Sequence, residues 1–121
     1  MVAEGLVAAG YNYIQIDDCW AAPTRDKNVE NGAIVADPIR FPSGMAALAQ
    51  YLHSKGMKLG LYGDIGATTC GGYLGFNVTT DGTNDAQLQA DVDAMAAWGI
   101  DSLKVDGCSP FAAFGFFVPY I

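Results

Sequence analysis

Three short runs of the chain end in acid, and each acid has a neighbour that could share its work. Asp17 and Asp18 follow Tyr11-Asn12-Tyr13-Ile14-Gln15-Ile16 and precede Cys19-Trp20. Tyr62 stands two residues before Asp64, and Lys104 two residues before Asp106, with Gly107 next. Adjacent carboxylates repel each other and are costly to bury without donors. Side by side on the chain they point in different directions, so they could contact two different groups of one ligand. Trp20 beside them offers an aromatic face, a common way to hold a sugar. Asp106 comes where Gly107 lets the chain leave a strand, which puts its carboxylate at the strand's C-terminal lip. In parallel α/β sheets and barrels that lip is where ligands and chemistry are found. Taken singly, each run is also an ordinary Asp-rich turn.

The elements needed to position these residues are legible around them. Tyr11–Ile16 is short and rich in β-formers. Met57–Tyr62 is a second strand, with Gly60 inside it marking a place where another group approaches closely. In the third, Leu103 and Val105 alternate with Lys104 and Asp106. Residues 1–9 read as the tail of a helix, with Val2, Leu6 and Val7 on one side and Gly10 as its stop. Ser43 is placed to cap a helix with Met45, Leu48 and Leu52 on one face, ended by Gly56. His53 near its end reads as a surface histidine at a helix C-terminus. Asn84-Asp85 caps another helix, with a stripe of Leu88, Val92 and Met95 and a stop at Gly99. Helix and strand alternate, which means a parallel sheet with crossover helices. In a barrel the three acidic strand ends, Asp17-Asp18, Tyr62 with Asp64, and Asp106, converge on one rim. Residues 21–42 form a long, breaker-rich connection, and long ordered loops are often functional.

Composition narrows the partners. Of 121 residues 51% are hydrophobic and 16% charged, with a net charge of −7. A buried core is expected, and the acidity argues against nucleic acid and anionic membranes. No stretch has the length of a membrane span or the pattern of a signal peptide. There is no Gly-x-Gly-x-x-Gly after the first strand and no phosphate loop. Cys70 and Cys108 lie just beyond neighbouring strand ends and could bridge, stapling two rim loops. A zinc site is the rival, though no close-spaced ligand pair supports it. With Cys19 the cysteines number three, which a reduced chain tolerates and which leaves one without its partner in an oxidised chain. Asn77-Val78-Thr79 is an acceptor triplet for N-glycosylation if the chain enters the secretory route.

Four stretches together resemble the α-galactosidases of glycoside hydrolase family 27. They are Gly10 through Trp20 with its Asp-Asp-Cys-Trp; Ala36-Asp37-Pro38 to Arg40-Phe41-Pro42-Ser43-Gly44-Met45; Lys58 to Tyr62; and Leu103-Lys104-Val105-Asp106-Gly107-Cys108. The resemblance implies a (β/α)8 TIM barrel, here partial, with about three parallel strands. It implies removal of terminal α-linked galactose with retention, no cofactor and no metal. Asp106 would be the catalytic nucleophile. Lys104, Asp17, Asp18 and Tyr62 would bind substrate, joined by Cys70 and Cys108 as a disulfide at the pocket edge. Cys19 matches a cysteine whose partner lies upstream. The full-length family is lysosomal or secreted, with a homodimer among its forms. A retaining glycosidase needs two carboxyls roughly 5–5.5 Å apart, and a lysine beside the nucleophile favours its ionised form.

The chain departs from this pattern in length, since a (β/α)8 barrel takes about 250 residues. Residues 1–108 are therefore expected to be a partial catalytic domain, lacking the family's first strand and its acid/base aspartate. Residues 109–121 are expected to be a divergent apolar tail of a truncated product or faulty gene model. Little or no hydrolysis by the chain alone is the corresponding expectation. Two other readings stand beside it. One is a non-catalytic, degenerate sugar-binding fragment. The other is a metal-dependent barrel enzyme with Asp17, Asp64 and Asp106 as oxygen ligands.

Overall fold

The computed structural model describes residues 1–79 and 81–108. Strands and helices alternate as β1 (Tyr13–Gln15), α1 (Gly44–His53), β2 (Lys58–Asp64), α2 (Asp85–Trp98) and β3 (Ser102–Asp106). The strands form one parallel sheet in the order β1-β2-β3. Parallel neighbours need long crossovers, and α1 and α2 supply them. This is the expected partial (β/α)8 arrangement. The expected divergent tail, residues 109–121, lies outside the described residues.

Register decides which side chains share a face. Gln15 pairs with Gly60, Gly60 with Ser102, Tyr62 with Lys104 and Asp64 with Asp106. Partners in a parallel sheet project to the same side, and side chains alternate along each strand. One face therefore carries Tyr13, Gln15, Tyr62, Lys104 and Asp106. The other carries Ile14, Leu59 and Leu61. Leu59 packs with Ala49 and Leu52 of α1, and Leu61 with Met45 of α1 and Met95 of α2. Both leucines are fully buried, each worth about 1.5–3 kcal/mol relative to exposure. The apolar face thus anchors the sheet on its helices and leaves the polar face free for a site. At the β3 edge Leu103 and Val105 are 39% and 52% exposed, with no described element beyond them.

Gly60 meets its expectation. A Cβ there would collide with the Gln15 carboxamide on one side and the Ser102 hydroxyl on the other, so the polar face closes over this position only because it is glycine. Gly99 likewise ends α2 with φ 77, its amide bonded to the Ala96 carbonyl.

Several local expectations fail, each for a visible reason. Residues 2–10 form turns rather than the tail of a helix; Gly5 and Gly10 take φ 74 and 96, and Val2 and Leu6 stay exposed. Strand β1 occupies only the centre of Tyr11–Ile16. Ser43 and Asn84 hold the N-cap positions without a side-chain cap. Asn84 instead donates its Nδ2 to the Asn77 carbonyl, 2.9 Å away. His53 does meet its expectation, exposed in the last turn of α1, and it also pairs its Nε2 with Asp101 Oδ2 at 2.8 Å, an oxygen that accepts the Leu59 amide.

The buried stripe of α2 is Asp91 and Met95, with Leu88 packed at the margin, while Val92 is 47% exposed. The loop after β1 causes the exchange. Asp91 Oδ1 pairs with the Arg25 guanidinium and accepts the Ile34 amide at 2.7 Å. Arg25 also donates to the Gly75 carbonyl at 2.8 Å and the Gly32 carbonyl at 3.3 Å. One side chain therefore ties both rim loops to α2.

Candidate active site

The ends of β2 and β3 bring Tyr62 and Asp106 together. The Tyr62 hydroxyl lies 3.3 Å from Asp106 Oδ2 and donates to it. Asp106 Oδ1 accepts the Gly107 amide at 2.9 Å. Tyr62 is buried, and burial pushes its phenol up to about 12, so it remains a proton donor at neutral pH. Cys70 and Cys108 form a disulfide. The Cys70 sulfur sits 3.1 Å from the Tyr62 hydroxyl and 3.6 Å from Asp106 Oδ2. A disulfide sulfur has no proton to give, and the Tyr62 proton goes to Asp106, so the sulfur acts here as a wall. The expected pairing is thus present, and it stands against the nucleophile candidate.

Lys104 reaches across the sheet. Its Nζ donates to Asp17 Oδ2 at 2.8 Å and lies 4.8 Å from the centre of the Tyr62 ring. The Lys104 hydrogen bond, helped by the Asp18 amide, holds the Asp17 carboxyl below its usual range. The same bond raises Lys104, with further help from the charges of Asp106 and Asp18. An ammonium donor beside a carboxylate acceptor is complementary to a hydroxyl group, which both donates and accepts.

Asp18 points elsewhere, as adjacency requires. Its Oδ2 accepts the Gly71 amide and its Oδ1 the Cys19 amide, both at 2.6 Å. It thereby joins the loop after β1 to the loop that carries Cys70. Cys19, with φ 72, is free of any disulfide among the described residues. Arg40 donates to its carbonyl and, at 2.8 Å, to the Tyr73 hydroxyl. Arg40 thus joins the loop after β1 to Tyr73, a contact that nothing beside it in the sequence announces. Its place in the stretch from Ala36 to Met45 is the one sequence signal that points to it.

Two residues proposed for the rim are not on it. Asp64 is completely buried, with Oδ1 accepting the Gly66 amide at 2.7 Å and Oδ2 the Cys108 amide at 2.8 Å. It organises the turn after β2 and presents no free oxygen to a ligand. The metal set of Asp17, Asp64 and Asp106 therefore fails at Asp64. Asp64, Cys70 and Cys108 do lie close together, but the two sulfurs are joined to each other and are not thiolates. Trp20 is also buried, donating its Nε1 to the Tyr62 carbonyl at 2.7 Å. It packs edge-to-face on Trp98 at 6.1 Å. It supports the floor beneath Tyr62 and offers no face to a sugar.

What remains at the tips is Asp17, Asp18, Tyr62, Lys104 and Asp106, beside the Cys70–Cys108 bridge. Two surface hollows, one around Phe41, Leu48 and Tyr51 and one around Val29, Ala90 and Ala94, do not include any of them. The arrangement is a polar sheet face with one Lys104–Asp17 donor–acceptor pair and one carboxylate held by a phenol.

A family model described as Alpha galactosidase A matches residues 1–113. The alpha-N-acetylgalactosaminidase of Gallus gallus is 49% identical over 105 residues, covering 87% of this chain and 24% of that protein. Human alpha-galactosidase A is 48% identical over 108 residues, covering 89% of this chain and 23% of that protein. The solved α-galactosidase of Saccharomyces cerevisiae superposes with a TM-score of 0.77 at 36% identity, covering 92% of this chain and 22% of that one. The chain thus spans about a quarter of the length of the relatives it matches. No helix among the described residues is long and apolar enough to cross a membrane.

Proposed function

Because the chain belongs to the alpha-galactosidase A family, we propose that its strand tips form the nucleophile side of a retaining α-galactosidase site. In this reading Asp106 attacks the anomeric carbon of a terminal α-linked galactose. The carboxylate is exposed enough to meet a ligand, and Tyr62 fixes its direction. The Lys104–Asp17 pair and Asp18 hold the far hydroxyls, which positions the anomeric carbon for attack. Cys70 and Cys108 bound the pocket as its edge. The observation that carries the reading is the Tyr62 hydroxyl on Asp106 Oδ2, with Lys104 and Asp17 paired on the same sheet face.

Retention needs a second carboxyl as acid/base, roughly 5–5.5 Å from the nucleophile. We assign none in this chain, so residues 1–108 act as one part of a glycoside hydrolase family 27 catalytic domain. The whole enzyme would be lysosomal or secreted and homodimeric, and the chain alone has little or no turnover. The test is a galactose titration of the purified chain followed by NMR. Saturable shifts at Tyr62 and Lys104, lost in Asp17→Asn, support the site. Shifts confined to other surfaces overturn it. Binding without covalent trapping at Asp106 would favour a degenerate sugar-binding fragment.

A further inference from the structure

We propose that Asn77, on the loop after β2, is the attachment site of an N-linked glycan. Asn77-Val78-Thr79 is the single Asn-x-Ser/Thr triplet in the sequence. Such triplets arise by chance, and three structural observations take this one further. Asn77 is exposed and lies in an irregular loop, the setting an acceptor needs. It takes φ 51, a left-handed conformation that asparagine tolerates better than most residues. Its backbone is fixed while its side chain is free. The Asn77 amide donates to the Gly66 carbonyl at 2.8 Å and the Val78 amide to the Ile65 carbonyl at 2.9 Å. Among the described residues the Asn77 carboxamide has no hydrogen-bond partner, whereas those of Asn28 and Asn84 are engaged. A glycan there displaces no native contact.

The compartment is indicated separately. The Cys70–Cys108 disulfide belongs to an oxidising environment, where N-glycosyl transfer to secreted chains also takes place. Thr79 Oγ1 accepts the Asn84 amide at 3.3 Å and lies 3.2 Å from Thr83 Oγ1. Those bonds form on folding, after the hydroxyl has served in acceptor recognition. In the transfer the Asn77 carboxamide nitrogen bonds to the anomeric carbon of a lipid-pyrophosphate-linked oligosaccharide. The bond from that carbon to the pyrophosphate oxygen breaks, the lipid pyrophosphate leaves, and the nitrogen gives up one proton.

The inference rests on the proposed secreted or lysosomal route and is independent of hydrolytic chemistry. The experiment directs the full chain into a eukaryotic secretory lumen with a C-terminal tag carrying a known acceptor triplet. Only chains with a glycosylated tag are scored, by peptide mass after enzymatic release that converts the attachment asparagine to aspartate. The expected result is conversion at position 77, abolished by Asn77→Gln and by Thr79→Ala and retained in Thr79→Ser. Tag-glycosylated chains unmodified at position 77 overturn the proposal. Loss of galactose binding leaves this readout unchanged, so the two failures are distinguishable.

Discussion

The Lys104 ammonium lies 2.8 Å from Asp17, joining β3 to the loop after β1 across the width of the sheet. The residue two places from Asp106 on its own strand thus makes its ion pair with a carboxylate just beyond the end of the far strand. This places a donor and an acceptor side by side where a hydroxyl can meet both.

Lys104→Met removes the main cause of the lowered Asp17 pKa. The Asp17 carboxyl should return toward its ordinary 3.8, read by NMR titration of the side-chain carboxyl carbon. The depressed carboxyl contributes stability above its unfolded pKa, and that contribution disappears as pH falls through the folded value. The pair is exposed, so the midpoint of acid unfolding should move only slightly in the variant. Galactose binding should fall far more than stability does.

Tyr62 titrates late because burial disfavours its phenolate, up to about 12 against an ordinary 10. The unfolded chain loses this proton first, so stability should decline between pH 10 and about 12. Tyr62→Phe should remove that decline. It should also cost about 1 kcal/mol at neutral pH through the lost hydroxyl contact with Asp106. Denaturant melts across alkaline pH, with and without the substitution, provide the check.

The Cys70–Cys108 bridge closes a sequence separation of 38 residues, a loop whose cross-link is worth about 4 kcal/mol in the chain-entropy account. The paired substitution Cys70→Ser with Cys108→Ser should lower the denaturant midpoint accordingly. Reductant should lower the midpoint of the parent chain and leave that of the double variant unmoved.

Arg25 and Asp91 form a largely buried pair, with side chains 15% and 0% exposed. Asp91→Ala should cost about 3–5 kcal/mol, because it strands the guanidinium among the loops it ties together. Arg25→Met combined with Asp91→Leu should recover much of that loss. A double-mutant cycle on unfolding free energies measures the coupling.

Much of this geometry was legible in the chain because period and punctuation were unambiguous. Alternation placed Lys104 and Asp106 on one face, Gly99 ended α2, and Gly60 marked a close approach. Other features depended on contacts far apart in sequence. Nothing near Asp64 announces that the Gly66 and Cys108 amides will enclose it. Trp20 reads as a ligand platform until Trp98, from another element, is packed against it. Asp91 displaced Val92 from the core because Arg25, 66 residues earlier, reached over the helix. Glycines at 5 and 10 in left-handed conformations left residues 2–10 in turns despite their helical spacing, with Val7 packed on the core and Val2 and Leu6 exposed.

The account stands or falls on Asp106 as the attacking carboxylate. Residues 1–108 are exchanged for the matched segment of human alpha-galactosidase A, which supplies the rest of that chain. The hybrid is then treated with a galactose-configured mechanism-based inhibitor and mapped by peptide mass. The account predicts a covalent ester on Asp106, and α-galactoside turnover reduced by roughly 10⁴-fold or more in Asp106→Asn. A label on a different carboxylate, or undiminished turnover in Asp106→Asn, would contradict it.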